Sequence, residues 1–146
     1  MTDLRDLYQE VILDHNKSPH NYREMPDATR LALGNNPLCG DKLKLYVRIE
    51  GDRIADVAFQ GSGCAISKAS ASIMTQKLVG KTLPEARQFI DSFLNMMRGA
   101  VPFGGKEMGD LKALEGVLKF PVRVKCATLA WNTAQQGIQE RAIKKS

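Results

Sequence analysis

The stretch from Leu43 to Phe59 constrains the fold more than any other part of the chain. Leu43, Leu45, Val47 and Ile49 alternate with Lys44, Tyr46, Arg48 and Glu50. After Gly51-Asp52, a tight-turn pair, Ile54, Val57 and Phe59 continue the apolar pattern. Successive side chains of a strand point to opposite faces, so this pattern predicts a hairpin with one face buried. A half-buried sheet needs a second layer to cover it. The rest of the chain supplies mostly helical patterns. Leu4, Leu7, Tyr8, Val11 and Ile12 recur at helical spacing ahead of Ser18-Pro19. Asn21 to Asp27, with Pro26, reads as a surface connection, and Thr29 to Leu33 as a short strand that Asn35-Asn36-Pro37 breaks.

Past the hairpin, Ala65, Ile66, Ala69, Ile73 and Lys77 share one helical stripe, with Gly80 as the stop. Thr82-Leu83-Pro84-Glu85 is a capping box with an early proline. It opens a helix whose apolar stripe is Ala86, Phe89, Ile90, Phe93, Leu94 and Met97. Arg98 to Gly109 carries four glycines and a proline and reads as a loop. A short helix is expected over Asp110 to Val117. Phe120-Pro121 sets an extended entry to a last helix that shows Ala127, Ala130, Trp131, Ala134 and Ile138 on one face. The order helix, small sheet, helices predicts an α+β, two-layer domain: an antiparallel sheet of about three strands with helices packed on one face. No linker or internal repeat divides residues 1–146, so a single domain is expected.

Composition narrows what such a domain does. Apolar content of 43% and charged content of 25% are ordinary for a soluble protein. No apolar run approaches the ~20 residues of a membrane span, and the polar N-terminus is not a secretory signal. These features point to the cytoplasm and to no membrane role. The net charge of +5 permits nucleic-acid binding, but the basic residues are dispersed among acids and no aromatic-basic platform is present. Nucleic acid is therefore not the expected partner.

The three cysteines carry the chemistry. An odd number spread over a chain without an export signal favours metal binding or thiol chemistry over a disulfide framework. Cys39 stands between Pro37-Leu38 and Gly40, where a thiol can be held out on a turn. Asp41 lies two residues on, on the same side of an extended segment; taken alone it reads more readily as a turn aspartate ahead of a strand than as a ligand. Cys64 follows Gly61-Ser62-Gly63 and precedes a helix, where backbone N–H groups and the helix N-terminus favour a thiolate. Cys126 sits at the expected start of the last helix, after Arg123 and Lys125, cations that lower a thiol pKa or merely form a solvated edge. Three thiolates and one carboxylate make a complete tetrahedral set for zinc, or a cysteine-rich seat for iron and sulfur. The spacing is not that of a compact zinc finger, so loops at one end of the sheet must gather the groups. His15 and His20 are far in sequence from the thiols, and solvation or a helix-end contact is expected for them.

Three motifs carry a resemblance: Asn-Asn-Pro-Leu-Cys39-Gly-Asp41, Gly-Ser-Gly-Cys64-Ala-Ile-Ser-Lys-Ala-Ser-Ala-Ser, and Phe-Pro-Val-Arg-Val-Lys-Cys126-Ala-Thr-Leu-Ala-Trp. In this order and spacing they resemble the IscU/SufU (NifU N-terminal-like) iron–sulfur cluster assembly family over almost the whole chain. Two features are similar to its SufU branch. Lys125 stands where IscU scaffolds usually carry histidine, and the stretch from Arg98 to Asp110 resembles the extra segment of SufU-type proteins. The resemblance implies a zinc-dependent sulfurtransferase, with zinc held by Cys39, Asp41, Cys64 and Cys126. It implies that persulfide sulfur comes from a SufS-type cysteine desulfurase, and the setting of Cys39 between Pro37 and Gly40 makes Cys39 the expected acceptor thiol. Downstream Suf assembly proteins would receive the sulfur; Arg123 and Lys125 read equally as residues that steer or hold an acidic partner surface and as residues that simply line the rim. The alternatives are an IscU-type scaffold that holds an iron–sulfur cluster on the same cysteines, and a zinc-stabilised, non-enzymatic activator of the desulfurase.

Overall fold

The computed structural model describes residues 4–37, 40–101 and 106–139, with the side chains of 4–8, 106, 107 and 139 outside that description. The elements run α1 (Leu4–Lys17), β1 (Arg30–Asn36), β2 (Asp41–Glu50), β3 (Arg53–Ser62), α2 (Ala65–Leu78), α3 (Leu83–Met97), a 3-10 segment (Lys106–Lys119) and α4 (Pro121–Gln139). The strands form one antiparallel sheet in the order β1-β2-β3. The α+β class, the three strands and the packed helices are as the sequence pattern requires.

The hairpin turn is where Gly51-Asp52 places it, with Gly51 at φ 67° between the paired Glu50 and Arg53. Leu43, Leu45 and Val47 of β2 are buried with Ile54, Val57 and Phe59 of β3, and Lys42 and Lys44 stay exposed. Against this face lie α2 and α4, with α1, α3 and the 3-10 segment packed around them. Each fully buried large apolar side chain contributes about 1.5–3 kcal/mol. The core centres on Trp131 of α4. Its ring stacks on Phe93 at a centroid distance of 4.2 Å and tilts against Phe89 at 5.9 Å. Its indole N–H donates to Ser70 Oγ at 2.9 Å, and that hydroxyl donates to the Ala127 carbonyl at 2.6 Å. All six residues of the predicted α3 stripe are buried, and the Thr82–Glu85 capping box is formed reciprocally. Of the α1 stripe, Val11 and Ile12 pack on the core; Leu4, Leu7 and Tyr8 fall among the side chains outside the description.

Five local expectations are revised. β1 runs on through Asn35 and Asn36, which pair with Lys42 and Asp41, and the strand gives way to a turn only at Pro37, whose nitrogen has no hydrogen to donate to a ladder. Asn21 to Thr29 is more than a surface connection. Met25 is buried against Tyr46 and Ala58 on the outer face of the sheet, and Asn21 and Arg23 exchange backbone bonds with Phe59. α2 is buried well beyond one stripe. Ser70, Ser72 and Thr75 are enclosed with Ala69, Ala71, Ile73 and Met74, and their hydroxyls are satisfied by neighbouring elements. The segment expected as a helix from Asp110 is a 3-10 run that starts at Lys106 and is kinked at Gly109 (φ 48°, ψ −124°). Residues 102–105 of the glycine-rich stretch lie outside the described residues. Finally, α4 starts at Pro121, because a proline is preorganised for the first helical position.

Candidate metal centre

One end of the sheet gathers three of the four predicted groups, Asp41, Cys64 and Cys126. Asp41 is the first residue of β2 and pairs in register with Asn36, the last of β1. Its side chain is fully buried. β3 ends at Ser62 beside Lys42 in register, and Gly63 turns the chain over Asp41 into α2. A Cβ on Gly63 would lie 2.3 Å from Asp41 Oδ1, so only glycine lets the backbone pass this close. Cys64 is the N-cap of α2 and half-buried; its own backbone N–H donates to Asp41 Oδ1 at 3.0 Å. The carboxylate therefore ties the β3–α2 turn to the start of β2.

Cys126 reaches the same point from α4. Gly34 of β1 brings the helix close, since a Cβ there would lie 2.2 Å from Thr133 Oγ1 and 3.1 Å from Leu129. Cys126 is fully buried, with Sγ 3.9 Å from the Val122 carbonyl one turn earlier. Since α4 begins at Pro121, this cysteine lies in the second turn and not at the helix start. Any helix-end field is strongest in the first turn, so the expected dipole argument is weaker for Cys126 than for Cys64.

The ligand atoms of Asp41, Cys64 and Cys126 all lie within 4.8 Å of one another, the one such group found among the described residues. Ligands around a tetrahedral zinc with two or three thiolates sit about 3.5–3.8 Å apart, so a small contraction would seat one ion. The donor chemistry fits too. A fully buried carboxylate, with no ion pair to a lysine, arginine or histidine among the described residues, calls for a cation to offset its desolvation. Cys39 lies outside the described residues. Its neighbours Pro37 and Gly40, the latter at φ 73°, belong to the β1–β2 turn that leads into Asp41. Arg123 and Lys125 are exposed on the first turns of α4.

One polar residue at the centre carried no functional expectation. Asn36 is buried, and its Nδ2 lies 3.4 Å from Asp41 Oδ2 and 3.8 Å from Cys126 Sγ. The strand register, had it been extended to Asp41, would have exposed it. The histidines are elsewhere. His15 is buried at the end of α1, with Nδ1 2.7 Å from Ser72 Oγ and Nε2 3.6 Å from Asp110, and His20 stacks nearby at a centroid distance of 5.1 Å. Burial pushes the His15 pKa below its ordinary value, and the contact with Asp110 partly opposes this. The helix-end contact expected for this pair is thus present.

Residues 7–145 match the NifU-like N terminal domain. The chain belongs to that family. It is 43% identical over 136 residues to the zinc-dependent sulfurtransferase SufU of Bacillus subtilis, covering 93% of this chain and 92% of the relative. It is 42% identical over 142 residues to the iron–sulfur cluster assembly scaffold protein IscU of Streptococcus pyogenes serotype M1, covering 97% and 89%. The fold superposes on the crystal structure of a SufU from Fervidobacterium islandicum, described as a scaffold protein for the SUF system. The TM-score is 0.84 at 36% identity, with 89% of this chain and 95% of that chain covered. Relatives under both names place the chain in the iron–sulfur cluster assembly family. Among the described residues, no helix is long and apolar enough to cross a membrane.

Proposed function

We propose that this chain is a zinc-dependent sulfurtransferase of cytoplasmic iron–sulfur cluster assembly, acting as one domain. It takes persulfide sulfur from a SufS-type cysteine desulfurase on Cys39 and passes it to downstream Suf proteins. The observation that carries this reading is the Asp41–Cys64–Cys126 cluster, with Asp41 and Cys126 buried and Cys64 half-buried, next to an exposed Lys125. Cys39 would complete a set of three thiolates and one carboxylate. The amine of Lys125 is charged near neutral pH and offers no lone pair to a metal, whereas the histidine usual at that place in scaffolds does. The Bacillus subtilis relative, named for this activity, lends support at 43% identity. The similar identity to a protein named as a scaffold makes cluster assembly the second reading.

Zinc, when bound, would keep the thiolates deprotonated without redox chemistry of its own. The residues do the rest. Asp41 and Cys126, both fully buried, serve as the fixed side of the centre. Cys39, which stands between Pro37 and Gly40 in the sequence, is the thiolate assigned to leave and react. It attacks the terminal sulfur of the desulfurase persulfide. A new S–S bond forms on Cys39, the old one breaks, and the desulfurase cysteine departs as a thiolate. Arg123 and Lys125 offer positive charge to an acidic partner surface near the centre. The test is transfer of labelled sulfur from the desulfurase. Cys39→Ala should accept none at the wild-type rate, and undiminished labelling would remove Cys39 from the role.

A further inference from the structure

We propose that Asn36 is the positioning residue of the centre. Its side-chain amide holds the Asp41 carboxylate and the Cys126 sulfur in the relative placement that a bound ion requires. The inference rests on the zinc reading and adds to it a residue that is not itself a ligand. Asn36 is the last residue of β1, and its backbone is fixed opposite Asp41 by the strand register. Two residues earlier, Gly34 sets β1 against Thr133 and Leu129 of α4, the helix that carries Cys126. Asn36 therefore stands where the sheet and the helix each deliver one donor. Its Nδ2 carries two hydrogens and lies 3.4 Å from Asp41 Oδ2 and 3.8 Å from Cys126 Sγ.

A carboxylate and a thiolate converging in a buried site repel one another until a cation arrives. A neutral donor between them reduces that repulsion without competing for the metal. The other Asp41 oxygen is held by the Cys64 N–H, so both oxygens have a defined partner. Outer-shell hydrogen bonds of this kind fix the direction in which a ligand presents its lone pair. The same contact separates the thiols by role. Cys126 is enclosed and lies within reach of the Asn36 amide, and Cys64 is only half-buried. Cys126 thus stays a resident ligand, and exchange falls to the other thiols.

The test compares the wild type with Asn36→Leu, of similar size but without a donor. Asn36→Val, which suits a strand, is used if the leucine variant does not fold. Zinc affinity is measured by competition with a chromophoric chelator, and thermal unfolding is followed with and without zinc. The expected result is zinc binding weakened about 10–100-fold, the range for outer-shell partners, and a smaller rise in Tm on adding zinc. A purely structural Asn36 would lower Tm equally in both forms and leave the affinity unchanged, and that result would overturn the inference. A wild type that binds no zinc would instead remove the zinc reading and this inference with it.

Discussion

Replacing Gly63 by alanine probes the geometry of the centre without touching a donor atom. The added Cβ would lie 2.3 Å from Asp41 Oδ1, 3.0 Å from its Cγ and 3.1 Å from its Cβ. Asp41 has little room to yield, because it is fully buried and paired at the start of β2. The carboxylate must give up the Cys64 N–H, a buried hydrogen bond to a charged group worth about 1.5–3 kcal/mol. The backbone at φ 155° is also one that side-chain-bearing residues rarely adopt, at a cost of about 1–3 kcal/mol. Gly63→Ala should therefore lose roughly 2.5–6 kcal/mol, a large share of the ~5–15 kcal/mol of an ordinary domain. Gly40→Ala is the control. It has a positive φ of 73° but open space around the new Cβ, so only the backbone cost of about 1–3 kcal/mol applies. Urea unfolding of the metal-free proteins, followed by the fluorescence of buried Trp131, measures both. If Gly63→Ala is no less stable than Gly40→Ala, the close passage over Asp41 does not exist in solution and the argument fails.

Three further outcomes are expected. Ser70→Ala should cost about 1–3 kcal/mol for each group left unpaired, since both the Trp131 indole N–H and the Ala127 carbonyl lose their partner; a loss near zero in chemical denaturation would show that water replaces the hydroxyl. For His15, burial lowers the folded-state pKa below its ordinary 6.5, so the unfolded chain binds the extra proton first as pH falls. Its contribution is complete above about 6.5 and is lost as pH drops through the folded-state value, so His15→Gln should flatten the acid limb of the stability curve; parallel limbs would contradict the assignment. Asp41→Ala should lower desulfurase stimulation by more than its loss of folding stability accounts for, and parallel losses would reduce Asp41 to a structural ligand.

The parts of the fold legible in the sequence were those where one local rule acted without competition. The alternation from Leu43 to Phe59 gave the hairpin, and Thr82, Pro84 and Glu85 gave the start of α3, because strand pleat and helix capping are short-range effects. The setting of α2 was not legible. Its pattern marks a single stripe, yet Ser70, Ser72 and Thr75 are buried as well, because partners up to 61 residues distant satisfy them. The start of α4 was missed because an aromatic-proline pair suits both an extended entry and a first helical turn. Asp41, Cys64 and Cys126 were singled out in the sequence as candidate donors, although the helix-start setting expected for Cys126 is not the one found. Their convergence depends on the β2–β3 register and on the close approach of β1 to α4, which no local pattern carries. Asn36 escaped for the same reason: an asparagine before a proline reads as a turn residue until its register with Asp41 is known.

The central claim is that this centre holds zinc and serves sulfur transfer. It is tested most directly by the zinc, iron and acid-labile sulfide content of the anaerobically purified protein, measured with its stimulation of a SufS-type cysteine desulfurase. About one zinc per chain, as the proposed set of four donors would bind, with no iron or sulfide and clear stimulation, is the predicted result. Iron with stoichiometric sulfide and little stimulation would contradict the account and make the chain a cluster scaffold.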